Sequence, residues 1–214
     1  MSPQPLLILG ATETALAFVD AFSDLPQYRV VGFVENLDRG RCGQTHGDLP
    51  VHWVDDIAPL RDTHAVICCL STTHRDRYVQ QVKQLGFSFA TLIHPTTTVS
   101  KRSTIGEGTS LSIGCIVAGF TRIGRYVQIN RGATIGHHTA IEDCVTIQPG
   151  VNIAGKCHIG PQTYIGIGAT VVDHIKIGAH SVVGAGAVVT QDVPDHVLVV
   201  GVPAKVVKQG IEGK

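Results

Sequence analysis

The adjacent histidines His137 and His138 are the residues of this chain best suited to moving a proton, and Gly155 follows eighteen residues after His137. An imidazole takes up a proton near neutral pH. A glycine offers a backbone N–H with no side chain to screen it. A base beside an open N–H is the minimum apparatus for acyl transfer from a thioester. The base accepts a proton from the incoming amine or hydroxyl, and the N–H holds the oxygen on which charge develops. Most of the eleven histidines are scattered and read as surface residues; this pair differs by its place in a repeat.

That repeat consists of sixteen consecutive hexads from Val99 to Pro194 without a break in register. Each opens on an aliphatic residue: Val99, Ile105, Leu111, Val117, Ile123, Ile129, Ile135 and so on to Val189. The fifth position is small or β-branched, as in Thr109, Cys115, Thr121, Ala133, Thr163 and Ala187. A six-residue step walks around an α-helix instead of staying on one face, which excludes an amphipathic helix. One inward aliphatic per hexad is the signature of a parallel β-helix. Three hexads close one triangular coil, raising the chain by roughly 4.8 Å per coil. The openers then stack in interior ladders, and the fifth-position residues fit near the corners. Glycine often follows the opener, as at Gly106, Gly124, Gly136 and Gly160, and is expected to supply positive φ at tight corners. His137 and His138 hold positions three and four of their hexad, so at least one projects outward near a corner, with Gly155 one coil further along.

Before the hexads the pattern changes. Leu6 to Leu9 reads as a buried strand ending at Gly10, Glu13 to Phe22 as a helix, and Tyr28 to Val34 as a second strand before a polar loop from Glu35 to Asp48. Ala65 to Leu70 reads as a third strand, Thr73 to Leu85 as a helix and Phe89 to Ile93 as a fourth strand. Strands alternating with helices imply a parallel sheet. The fold class is therefore α/β plus β-solenoid: a small Rossmann-like parallel-sheet domain over residues 1–94, followed by a parallel β-helix with a C-terminal tail over 95–214. In the first domain the turn Gly10-Ala11-Thr12-Glu13-Thr14 is where a phosphate would meet a helix N-terminus. It has one glycine, and Glu13 places a negative charge beside it, which argues against a dinucleotide. Gly10 and Thr12, with Glu35 and Asn36 at the end of the second strand, are the candidates for holding the nucleotide end of a sugar nucleotide.

The 214 residues carry 17 acidic and 17 basic side chains. Zero net charge gives no electrostatic footprint for nucleic acid or an anionic membrane. There is no apolar run of about 18 residues to span a bilayer and no basic segment before an apolar one to act as a signal peptide. Six cysteines without a C-x-x-C pair, several in core positions of the repeats, read as reduced residues of a cytoplasmic protein.

Several segments together resemble the sugar O/N-acetyltransferases of the NeuD/PglD type: Leu92-Ile93-His94-Pro95, Asn130-Arg131-Gly132-Ala133 with His137 seven residues after Asn130, Pro149 to Gly155, Val183 to Val189, and Gly201-Val202-Pro203-Ala204-Lys205. The resemblance covers essentially the whole chain and is strongest from His94 onward. It implies a left-handed β-helix, a homotrimer, and acetyl-CoA as co-substrate with no metal. The implied reaction is direct N-acetylation of the 4-amino group of a UDP- or dTDP-linked sugar, O-acetylation being the alternative. By the same resemblance His137 is the general base, Gly155 N–H binds the thioester carbonyl oxygen, and Asn130 contacts the sugar. Ile167, Ala185 and Gly186 line the pantetheine channel between subunits. The bacillosamine-pathway enzyme of this family carries an acidic residue directly after the catalytic histidine. Here His138 stands there, beside the sugar, so an acid that orients the imidazole or stabilises its charged form is Glu142 or Asp143, or is absent. The family's glycine-rich first loop is also reduced to Gly10.

Two rivals follow from the same repeat. His138 and His174 are 36 residues apart, two coils, as two ligands of a γ-carbonic anhydrase zinc site would be. The third ligand would then fall on Ala179, and His180 lies one residue beyond. The other rival is a scaffold that kept the fold and lost the chemistry. Such a scaffold needs only the inward ladder, not Asn130, His137 and Gly155 at the family's spacing.

Overall fold

The computed structural model describes residues 2–23 and 25–214. They form two compact units, one of residues up to Ser71 with Arg75–Leu92, the other of Thr72–His74 with Ile93–Lys214.

The first unit is built on β1 (Gln4–Leu9), β2 (Tyr28–Glu35), β3 (Thr45–His46), β4 (Leu49–Trp53) and β5 (Ala65–Cys68), in the order β3-β4-β2-β1-β5. The pairs β1–β2, β1–β5 and β2–β4 are parallel, and only the short β3–β4 hairpin is antiparallel. Leu6, Leu7, Ile8 and Leu9 are buried on both faces of β1, which is why they read as an unbroken apolar run. Helix α1 (Glu13–Ala21) starts where Thr12 accepts the Ala15 N–H, a hydroxyl cap on an otherwise orphan donor. Helix α2 (Asp76–Gln84) buries Tyr78, Val79 and Val82. The Tyr78 hydroxyl donates to the Val34 carbonyl, and burial pushes this phenol well above its usual range.

Three details depart from the pattern-based reading. The segment after Glu35 contains a 3-10 turn (Arg39–Arg41) and β3, and the unanticipated β4 follows it. Pro50 breaks the strand signal of β4, yet Val51 pairs with Phe33 in the sheet. Helix α2 begins at Asp76 instead of Thr73, because Thr73 is engaged elsewhere: its N–H donates to the Lys214 carbonyl at 2.7 Å. Phe89 makes only an isolated bridge to Val66, and the strand proper is Leu92–Ile93.

The second unit is a left-handed β-helix of two-residue strands, each joining the last residue of one hexad to the opener of the next. Partners are eighteen residues apart, as in Ile116 with Thr134 and Thr134 with Asn152. Three stacked sheets result. The first face runs from Thr98–Val99 to Val188–Val189, and the second from Thr104–Ile105 to Lys176–Ile177. The third runs from Leu92–Ile93 through Ser110–Leu111 to Val197–Val200 and ends on the antiparallel strand Lys205–Gln209. The openers from Leu111 to Val189 are all buried in one continuous core, each contributing about 1.5–3 kcal/mol.

The corners hold by side-chain hydrogen bonds. Buried fifth-position hydroxyls donate one coil onward: Thr109 to the Gly124 carbonyl, Thr121 to Gly136, Thr163 to Gly178. Cys115 and Cys157 donate likewise to the Asn130 and Val172 carbonyls, and burial raises both thiol pKa values. A backbone turning a corner leaves the strand ladder, and these groups satisfy it.

The glycine expectation needs correction. Positive φ falls at the fourth position, where Gly132, Gly150, His138, Lys156 and others lie at about 55–70°. Second-position glycines serve close approach instead: a Cβ on Gly136 would lie 2.4 Å from the Ala154 carbonyl carbon, whereas one on Gly132 meets nothing within 4 Å. Gly136→Ala is therefore expected to cost ~1–3 kcal/mol by overpacking. Gly132→Ala should cost about 1 kcal/mol through its left-handed backbone alone, and Gly132→Asn less again. Denaturant midpoints of the three variants test that order.

Candidate active site

Each hexad supplies one corner, so the repeat sorts the candidates into columns. His137 occupies the third position of the corner between the first and second faces, and Gly155 occupies the same position one coil on. The two touch: a Cβ on residue 155 would lie 2.9 Å from both Cε1 and Nε2 of His137. Only glycine leaves space for the imidazole. Among the described residues the Gly155 N–H has no hydrogen-bond acceptor, while the corresponding N–H groups of Arg125 and Ala179 are taken by the Asp143 and Asp195 carboxylates at 2.7 Å. A base and an open donor therefore stand side by side on an exposed edge.

His138 is adjacent in chain and in space. Its Nδ1 lies 3.0 Å from Nδ1 of His137, and its ring stacks on Phe120 at 4.7 Å between centroids. Phe120 was not anticipated. The signal was present: it precedes His138 by one eighteen-residue coil.

Glu142 and Asp143 lie one hexad further on, at the corner between the second and third faces. Glu142 Oε1 pairs with His158 Nε2 at 3.1 Å, and Asp143 binds Arg125 through three contacts of 2.7–3.0 Å. Neither carboxylate is bonded to His137, because the prism turns about a third of a revolution between them and the imidazole.

Asn130, Ile167, Ala185 and Gly186 share the remaining corner, between the third and first faces. The Asn130 amide donates to the Ile147 carbonyl at 3.0 Å, and Ile167 is exposed. Within one chain these residues are separated from His137 by the width of the first face.

In the first unit Gly10, at φ +103°, has no space for a side chain, since a Cβ would lie 2.5 Å from Leu70 Cδ2. The Thr12 hydroxyl caps α1, and the Thr12 carbonyl meets His46 Nε2 at 2.9 Å. Glu35 is buried, not solvated: Oε1 accepts the N–H groups of Asn36 and Leu37, and Oε2 accepts Arg41 Nη1 at 2.9 Å. Arg41 also donates to the Ala11 carbonyl, tying the loop after β2 to the turn after β1. Asn36 Nδ2 donates to Gln81 at 3.1 Å. Arg41 and His46 lie too far along the chain from Gly10 for spacing to have shown the link.

His174 shares the His138 corner two coils on but pairs with Asp173, and the hydrogen bond from His174 holds the Asp173 carboxyl below its usual value. Among the described residues no group of three or more His, Cys, Asp or Glu is placed to hold a metal ion, and no helix is long and apolar enough to cross a membrane.

The family model for the bacterial transferase hexapeptide (six repeats) matches residues 156–191, and no curated protein matches the chain. Among solved structures, perosamine N-acetyltransferase of Caulobacter crescentus, crystallised as a His-to-Asn variant with CoA and GDP-perosamine, is similar at 28% identity, 96% of this chain, 97% of that one and a TM-score of 0.88. The acetyltransferase domain of PglB from Neisseria gonorrhoeae, with acetyl coenzyme A, is 26% identical over 96% of this chain and all (100%) of that one, TM-score 0.88. WeeI from Acinetobacter baumannii is 28% identical over 94% and 99%, TM-score 0.80. These findings make the chain an acyltransferase. It is similar to the bacterial hexapeptide transferases over residues 156–191 and, over nearly its whole length, to perosamine N-acetyltransferase and the acetyltransferase domain of PglB.

Removing Arg41 takes the partner from Oε2 of the buried Glu35 carboxylate, so Arg41→Ala is expected to lower stability by about 1–3 kcal/mol, nearer the lower figure because Arg41 is half-exposed. Equilibrium unfolding measures the loss, and proteolysis should cut first within 36–44.

Proposed function

We propose that this protein transfers the acetyl group of acetyl-CoA to the 4-amino group of a nucleotide-linked sugar, with His137 as general base. The observation that carries the reading is the imidazole of His137 packed against Gly155, whose N–H is open, on an exposed corner. Acetyl-CoA supplies the acyl thioester. His137 Nε2 receives the amine proton as nitrogen attacks the carbonyl carbon. The Gly155 N–H stabilises the carbonyl oxygen as it gains charge. The new C–N bond replaces the C–S bond, the proton held on His137 passes to the departing thiolate, and the free thiol leaves without an acyl-enzyme. The nucleotide is assigned to residues 1–94 and acyl transfer to 95–214. UDP and dTDP follow from the family resemblance, and GDP enters the test because the Caulobacter relative was crystallised with GDP-perosamine. Free thiols at all six cysteines fit a cytoplasmic location.

One corner supports a coenzyme channel. Its fourth-position residues are Gly114, Gly132, Gly150, Gly168 and Gly186, all at positive φ and none with an atom within 4 Å of an added Cβ. At the same backbone angle the other two corners carry one glycine, Gly108, beside Phe120, Tyr126, His138, Lys156, Gln162 and His174. Crowding within the chain therefore does not require these glycines, and a ligand lying along the corner beside the exposed Ile113 and Ile167 would. Since this corner and His137 border opposite edges of the first face, a homotrimer is the assembly that unites them, the corner of one subunit meeting the His137 edge of the next. The outward residues of that face, Thr98, Ile116, Thr134, Asn152, Thr170 and Val188, carry no charge.

Thiol release from acetyl-CoA is measured with UDP-, dTDP- and GDP-linked 4-amino sugars. His137→Ala is expected to lose ~10²–10⁴-fold in kcat/KM, and wild-type rates in that variant would overturn the mechanism. Gly168→Asn, whose side chain the left-handed backbone tolerates, is expected to fold normally while raising KM for acetyl-CoA tenfold or more. Sedimentation should give a trimer, and Ile116→Arg should shift it toward monomer.

A further inference from the structure

The two histidines meet nitrogen to nitrogen, Nδ1 of His137 to Nδ1 of His138 at 3.0 Å, with ring planes nearly perpendicular at 89°. A neutral imidazole has one N–H and one lone pair, so only one ring can donate across this contact. If His138 donates, His137 keeps its proton on Nε2 and cannot accept another there. If His137 donates, its Nε2 lone pair is open. The role of His137 as base therefore fixes the tautomer of its neighbour.

His138 is held for this from behind. Its N–H donates to the Gly119 carbonyl at 3.0 Å, its backbone sits at φ 58°, and its ring lies on Phe120 with an interplanar angle of 24°. The Arg102 guanidinium, one coil earlier, lies 5.2 Å from the Phe120 centroid. We infer that His138 is a positioning residue: its Nδ1 lone pair accepts the Nδ1–H of His137 and locks that imidazole with Nε2 free. The inference rests on the proposed base. The charged and titratable groups around the pair are Arg102, Lys156, whose N–H donates to the His137 carbonyl at 2.8 Å, and the Asp173–His174 pair two coils beyond His137 and His138.

Asparagine is the discriminating substitution. Its Oδ1 stands where the Nδ1 lone pair stood, it does not titrate, and it tolerates a left-handed backbone. His138→Ala is expected to lower kcat about tenfold or more with both KM values unchanged, and His138→Asn to restore most of it. His138→Asp places an anion beside the Nδ1–H, so the protonated imidazole is favoured and the acid limb of kcat/KM should move up by about one pH unit or more. Nitrogen NMR of the wild type should show His137 protonated at Nδ1 and His138 at Nε2. The reverse tautomers, wild-type kcat in His138→Ala, or an unmoved acid limb in His138→Asp would each overturn the inference. His137→Asn separates the two readings. Lost activity there with none lost in His138→Ala removes only the role of His138, whereas full activity in both removes the base as well.

Discussion

Coil-on-coil pairing at a spacing of eighteen residues is the constraint on which the β-helical unit depends. A parallel strand of two residues makes too few backbone bonds to hold itself in place. Its stability comes from the interior column of Ile, Val and Leu and from the corner hydroxyls and thiols that bind the carbonyl of the next coil. A slip of one residue would turn the aliphatics outward. Register is thus fixed along the whole prism, and with it the stacking of any two residues eighteen apart.

The site uses that rigidity. His137 and Gly155 are neighbours because they hold the same position in successive coils, and Phe120 and His138 stack for the same reason. An active site on repeating corners costs little extra folding information, since the scaffold places it. The limit is geometric: one chain offers three separate edges, so residues on different edges cooperate only across subunits. In the proposed trimer the bare glycine corner and the His137 corner form such a pair.

The first unit follows another logic. Gly10, Thr12 and Glu35 lie where a nucleotide-binding sheet presents its strand ends, yet Thr12 and Glu35 spend their polar atoms on the protein. Thr12 caps a helix, and Glu35 anchors a loop through two backbone N–H groups and Arg41. What remains presented there is Asn36 and the exposed Leu37.

The hexad period determined the β-helix, its three edges and the neighbourhood of His137 and Gly155, because a strict repeat converts sequence distance into spatial distance. It also showed the inward openers and the small corner residues, which follow from side-chain volume alone. Tertiary structure decided what no period encodes. The second-position glycines answer to backbone crowding from the next coil, not to their own φ. Glu142 and Asp143 turn away from His137 to His158 and Arg125, and the nitrogen that meets His137 Nδ1 comes from His138. Arg41 reaches Ala11 across thirty residues of irregular chain. Rotamers and loop closures depend on which partner wins among several within reach, and that choice exists only once the chain has folded.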